Sequence, residues 1–194
     1  MVSMALATPL LPFLPLAAKQ ILLNNFLSDV PSIAISSDNV DPDRVSQPQR
    51  WNIKDIQHFM IVFGLISSVF DLMTFAVLLL VFHADQATFQ TSWFVVSLLT
   101  ELAVVLLLRT HWPAFRSKPS PLLMWATITV SAATLAIPFL GPLSSVFGFV
   151  PLSVLQMGTV IAIVVGYIVA TEAAKAWYYR TKTKEKSKLA ANVR

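Results

Sequence analysis

Long apolar blocks alternate with short polar connections along this chain, and the blocks are of the length an α-helix needs to cross a bilayer, about 20 residues. The pattern predicts helices at 20–36, 58–82, 91–109, 121–140 and 151–178. Backbone amides find no water to bond inside lipid, so helices are the only spanning option for apolar runs this long. Residues 1–18 are apolar too, but Pro9, Pro12 and Pro15 each remove a backbone donor, so this stretch is expected to give a partial helix only. A cleaved leader competes for the same stretch, because Leu16-Ala17-Ala18 resembles a small-residue cleavage site. The missing basic residue before Lys19 argues against it. The expected fold class is an all-α integral membrane protein: a polytopic helical bundle of five clear transmembrane helices plus the N-terminal partial one, with 179–194 as a basic tail.

Composition agrees, with 56% hydrophobic and only 12% charged residues. The absence of cysteine excludes disulfides and thiolate metal sites. Charge orients the bundle. Lys and Arg occupy the 37–57 connection (Arg44, Arg50, Lys54), the 109–120 connection (Arg109, Arg116, Lys118) and the stretch from Lys175 onward, whereas 83–90 and 141–150 hold none. This alternation predicts cytoplasmic placement for the first three and external placement for the other two. Trp51, Trp93, Trp112, Trp125 and Trp177 fall near predicted span ends, the positions of an aromatic anchoring belt.

Polar residues inside the spans carry the candidate chemistry. Asn24, Asn25, Ser28 and Asp29 interrupt the first helix. An aspartate near the middle of a membrane helix costs about 2.5–3.5 kcal/mol to insert, so this carboxylate needs a purpose. Asn25 and Asp29 are four apart, as are Asn24 and Ser28, which places their oxygens on one side of the rod, an oxygen-rich cation site at about mid-bilayer. Glu101, halfway along 91–109, is a candidate further ligand or pathway residue; its bland reading is a hydrogen bond to a neighbouring helix. For Asp71, with Ser67, Ser68 and Thr74 one turn away, the helix–helix hydrogen bond is the favoured reading. Glu172 and Lys175 are expected to pair at the membrane interface. Gly158, Ala162, Gly166, Ala170 and Ala174 form a small-residue stripe suited to close helix packing, with a dimer seam as the sharper alternative. His58, His83 and His111 are too scattered for a metal cluster.

The chain has no glycine-rich phosphate loop, no metal-spaced His or Cys group and no nucleophile–base pair at a suggestive spacing. Its TKTKEKSK stretch is basic, but beside Trp177-Tyr178-Tyr179 it reads as a topogenic, lipid-facing segment, and no nucleic-acid partner is expected.

The stretches FLPLAAKQILLNNFLSD, DNVDPD, QPQRWNIKDI, FGLISSVFDLMTFAVL and FQTSWFVVSLLTELAVVLLLRT, in this order, resemble the C-terminal membrane region of P-type ATPases, most closely the bacterial magnesium-transporting branch. The resemblance implies that 20–36 is the sixth family helix and the later spans helices seven to ten, with 1–18 the end of the fifth. It also implies that Asn25 and Asp29 are ligands of the transported ion. Val30 stands where calcium pumps have glycine, and the paired asparagines fit the magnesium branch better, with calcium left open. Family members phosphorylate an aspartate in a DKTGT motif and dephosphorylate it with a TGE loop; neither string occurs here. Hydrolysis of ATP by this chain alone is therefore not expected. The implied partners are the remainder of the ATPase (helices one to five and the cytoplasmic domains, through which ATP would act) and the lipid of a bacterial inner membrane. Magnesium is the implied cargo. Two readings from other classes stand beside this one: a small free-standing assembly partner or regulator, and a passive cation channel lined by Asp29 and Glu101.

Overall fold

The described residues of a computed structural model, 11–39, 53–110, 112–114 and 116–192, with backbone only at 54, 55 and 181–192, hold six α-helices. They are α1 (Ala18–Ala34), α2 (Ile53–Ala76), α3 (Gln86–Leu108), α4 (Pro121–Ala136), α5 (Pro142–Phe147) and α6 (Val154–Asn192), and no strand occurs among the described residues. Residues 11–17 are irregular, in keeping with Pro12 and Pro15. Trp51, His111 and the basic residues Arg44 and Arg50 lie outside the described residues.

Local chemistry accounts for the boundaries. Gln20 closes the start of α1, its Oε1 accepting the Ala17 amide at 3.0 Å. The end of α2 loosens into a π turn at Val77–Val81, and His83 then takes a left-handed φ of 45° that stops the helix. Asp85 stands just before α3, its carboxyl held below the usual carboxylate range chiefly by the Thr88 hydroxyl. Ser120 caps α4 by accepting the Leu123 amide at 3.2 Å, with Pro121 in the first turn. Gly148, at φ 75°, ends α5.

Among the described residues, four helical segments are long and apolar enough to span a membrane: Ile56–Val81, Gln86–Leu108, Pro121–Phe139 and Val154–Arg180. The expected count of five clear spans plus a partial one is thus not matched. The 20–36 block folds as a 17-residue α-helix, about 25 Å long at 1.5 Å per residue, and only the 3-10 turn at Ile35–Ser37 brings it near the thickness of the hydrocarbon core. The last helix departs in the other direction. Instead of ending at 178 it continues to Asn192, since the Ala, Lys and Glu of 172–191 are good helix formers and no Gly or Pro follows Gly166. The 141–150 connection also holds a helix, α5, that periodicity did not reveal.

Helix α3 is the hub, with α6, α1 and α4 packed around it and Phe89, Phe94, Leu98 and Leu102 shut off from the surface. Lipid is as apolar as leucine, so the cohesion here is contact packing, not removal of apolar surface from water. Trp93 belongs to this core: it is 3% exposed, and its ring lies tilted against Phe75 with centroids 4.5 Å apart. It is no interfacial anchor, because α3 begins at Gln86 and carries Trp93 two turns inward. Trp112, Trp125 and Trp177 are exposed, as an anchoring belt requires. Within the small-residue stripe, a methyl on Gly166 would stand 3.5 Å from the Phe70 ring of α2, so that part packs inside the bundle; one on Gly158 would meet nothing within 4 Å.

Candidate functional site

Helix α1 leans on α3 and α4 with Gln20, Ser28, Pro31 and Ala34 turned inward. Seven residues per two turns cannot all share that face, and the four candidate ligands are divided by it. Asn24 is half-buried against α3. Its Nδ2 donates to Glu101 Oε2 at 3.2 Å and its Oδ1 accepts the Ser97 hydroxyl at 3.4 Å. Ser28 is buried, and its hydroxyl donates to the Asn25 carbonyl at 3.1 Å. Asn25 and Asp29 take no part in this cluster and stand exposed on the opposite side with Phe26 and Val30.

The structure therefore brings Asn24, Ser97 and Glu101 together and leaves Asn25 and Asp29 on an uncovered face. Glu101 is itself exposed at the edge of α3, reached by the Asn24 amide. Ser97 was not among the expected site residues, although the signal was available: it lies four residues before Glu101, so one face of α3 carries both. Among the described residues no three of His, Cys, Asp and Glu come together, so neither carboxylate belongs to a closed acidic cage. One further feature loosens α1 at this depth. Pro31 lacks an amide hydrogen, which removes the helical bond that the Leu27 carbonyl would otherwise accept, between Asn25 and Asp29.

Several other intramembrane polar groups join the helices to one another. The Tyr167 hydroxyl of α6 reaches Ser67 of α2, and the Asp71 charge on α2 is near enough to act on it. Lys175 and Glu172 pair at 3.0 Å, but Lys175 is buried, its Nζ also donating to the Leu107 carbonyl at 2.8 Å, while Glu172 accepts the Ala114 amide at 2.7 Å. The pair fastens α6 to the end of α3 and the connection after it. His58 stacks on Tyr178, and His83 caps α2.

Two polar seams close the ends of the bundle. At one end, Gln20 and Lys19 bond the Phe147 and Val146 carbonyls of α5, and Gln90 bonds the Leu14 carbonyl. At the other, Asp38 pairs with Arg109 at 2.8 Å and accepts the Ser120 amide at 2.8 Å. The 37–39, 109–120 and 172–175 segments thus gather at one end, and 14–20, 90–91 and 146–150 at the other, the same grouping that the charge alternation separates.

Comparison with known proteins gives one consistent result. Residues 13–177 match the family described as "Cation transporting ATPase, C-terminus". Among curated proteins, the "Magnesium-transporting ATPase, P-type 1" of Salmonella typhimurium strain LT2 and that of Escherichia coli K12 are each 40% identical over 183 residues, 92% of this chain. A second Salmonella typhimurium LT2 protein of the same name is 32% identical over an equal length. The chain spans 20% of the length of these relatives.

Proposed function

The chain belongs to the family of cation-transporting ATPase C-termini, and we propose that it forms the C-terminal membrane part of a pump that moves magnesium across the bacterial inner membrane. It is a multi-pass membrane protein. The remaining helices, the cytoplasmic domains and the ATP chemistry belong to the rest of that pump, in keeping with relatives about five times as long.

The observation that carries this reading is the exposed Asn25–Asp29 face. Left against lipid, Asp29 would cost about 2.5–3.5 kcal/mol. Covered by helices that bring further oxygen ligands, the same carboxylate becomes the charge that holds a divalent cation. Magnesium demands near-octahedral oxygen ligands and gives up water reluctantly, so a sparse set suits it: Asp29 for charge, the Asn25 amide oxygen as a neutral ligand, and retained waters for the rest. Asn24 and Glu101, bonded to each other on the flank of α1, would bind such waters or the ion's approach path, and Ser28 would steady the backbone of Asn25 from behind. In this reading the 109–120 end of the bundle is cytoplasmic, as its Arg and Lys favour.

The experiment is Asp29→Asn in the full-length pump. Transport of magnesium should fall to background while insertion and abundance hold or improve, because the change removes a costly charge together with the ligand it serves. Normal transport with misassembly would mean that the carboxylate is a packing contact, and the reading of α1 as the cation helix would be withdrawn.

A further inference from the structure

Four oxygen-bearing side chains gather between α2 and α6, away from the candidate ligands on α1, which leans on α3 and α4. Ser67 and Asp71 are one turn apart on α2, and Tyr167 and Thr171 one turn apart on α6, so each pair lies along one face of its helix. Both pairs sit near the middle of their spans, Ile56–Val81 and Val154–Arg180. The helices come close here: the Phe70 and Tyr167 rings meet edge to face with centroids 5.4 Å apart, and a methyl on Gly166 would touch the Phe70 ring. The Tyr167 hydroxyl reaches Ser67, and the Asp71 charge is near enough to act on it. Tyr167 and Thr171 are shut off from the surface, at 3% and 1% exposure.

The Thr171 hydroxyl is the anomaly. The other buried threonines of the described helices, Thr74, Thr91, Thr127 and Thr134, each donate to the carbonyl four residues before. Thr171 does not: its Oγ1 is buried with no hydrogen-bond partner, although the Tyr167 hydroxyl is beside it. A buried hydroxyl left unbonded is costly, so this one points to a further member of the group. Charge selects what that member is. Among the four side chains only Asp71 brings a negative charge at neutral pH; a divalent ion would leave a net charge in the hydrocarbon, whereas a single positive charge leaves none.

We propose that Ser67, Asp71, Tyr167 and Thr171 form a second ion site within the membrane, which takes one positive charge, carried by a proton or by a monovalent alkali cation, and excludes the magnesium cargo. Asp71 and Tyr167 are its own ionisable groups. Further along α6, Lys175 and Glu172 are paired with each other, and on α3, which packs against both helices, the ionisable residue is Glu101, bonded to Asn24 of α1. The inference uses no residue of α1 and stands apart from the reading of Asp29.

The test uses the full-length pump carrying this chain. Infrared absorption of a neutral carboxyl group, present in the unmodified pump and missing from Asp71→Asn, reports the proton. Radioactive sodium or rubidium retained by the unmodified pump and lost from Asp71→Asn reports the alkali cation. Either result supports the site, and an excess of magnesium should leave either signal in place. Thr171→Val keeps the shape and removes the hydroxyl, so it should shift the carboxyl band or weaken cation retention by roughly tenfold or more, the worth of one polar partner to a charged group. This variant carries the test where Asp71→Asn fails to insert. A band and a cation retention that do not depend on Asp71, or a signal that Thr171→Val leaves unchanged, would overturn the proposal and make Asp71 a packing contact. Displacement by magnesium would overturn it as well, since the site would then take the cargo. Asp29→Asn in the same preparations should leave the signal unchanged; its loss there would move the signal to α1 and sink the second site, while the magnesium uptake of that variant tests the reading of Asp29 separately.

Discussion

Lys175→Met removes the one lysine buried among the described residues, and its cost can be worked from the contacts. The Nζ holds the Glu172 carboxylate at 3.0 Å and the Leu107 carbonyl at 2.8 Å, with side-chain exposures of 3% for Lys175 and 20% for Glu172. A hydrogen bond from a charged donor is worth about 1.5–3 kcal/mol net, and deleting one member of a buried pair costs about 3–5 kcal/mol. Glu172 is partly wetted and keeps the Ala114 amide at 2.7 Å, which screens and partly satisfies it. The expected loss is therefore about 2–4 kcal/mol. Glu172→Gln retains an acceptor for both donors and should cost less, about 1–2 kcal/mol. The double variant should cost less than the sum, because the stranded carboxylate that makes Lys175→Met expensive is then neutral. Reversible unfolding in micelles or bicelles, read as a double-mutant cycle, measures the coupling. Additivity within about 0.5 kcal/mol would show that the two side chains do not act on one another and would refute the reasoning.

In the full-length pump, Asn25→Ala should raise the half-saturating magnesium concentration more than Asn24→Ala, and Glu101→Gln should give a mild defect. Asn24→Ala and Glu101→Gln should be non-additive in uptake kinetics, since those side chains bond at 3.2 Å, and fully independent effects would separate Glu101 from the site. Trp93→Ala should destabilise the isolated bundle by about 3–5 kcal/mol, whereas Trp177→Ala, on the exposed side, should cost under about 1 kcal/mol. Equal losses in the same unfolding assay would place Trp93 at the interface after all.

A membrane writes much of its architecture directly into the chain, because each spanning segment must satisfy its own backbone and present its own apolar length. Those demands are local, so the helical class, the positions of α2, α3, α4 and α6, the grouping of connections by charge and the anomaly of Asn24, Asn25, Ser28 and Asp29 were all legible from residue order. What residue order left open is rotation and partner. Four polar residues within six positions occupy a wide arc of a helix, and only the packing of α1 on α3 and α4 decided that Asn24 and Ser28 turn inward while Asn25 and Asp29 face out. The same holds for Trp93, whose place in the core depends on α3 being the helix the others surround, and for Asp38 with Arg109, joined across 71 residues of sequence. Contacts between segments distant in sequence have no period and no spacing to announce them. They exist because rigid rods pack in one register, and that register is a property of the assembled bundle.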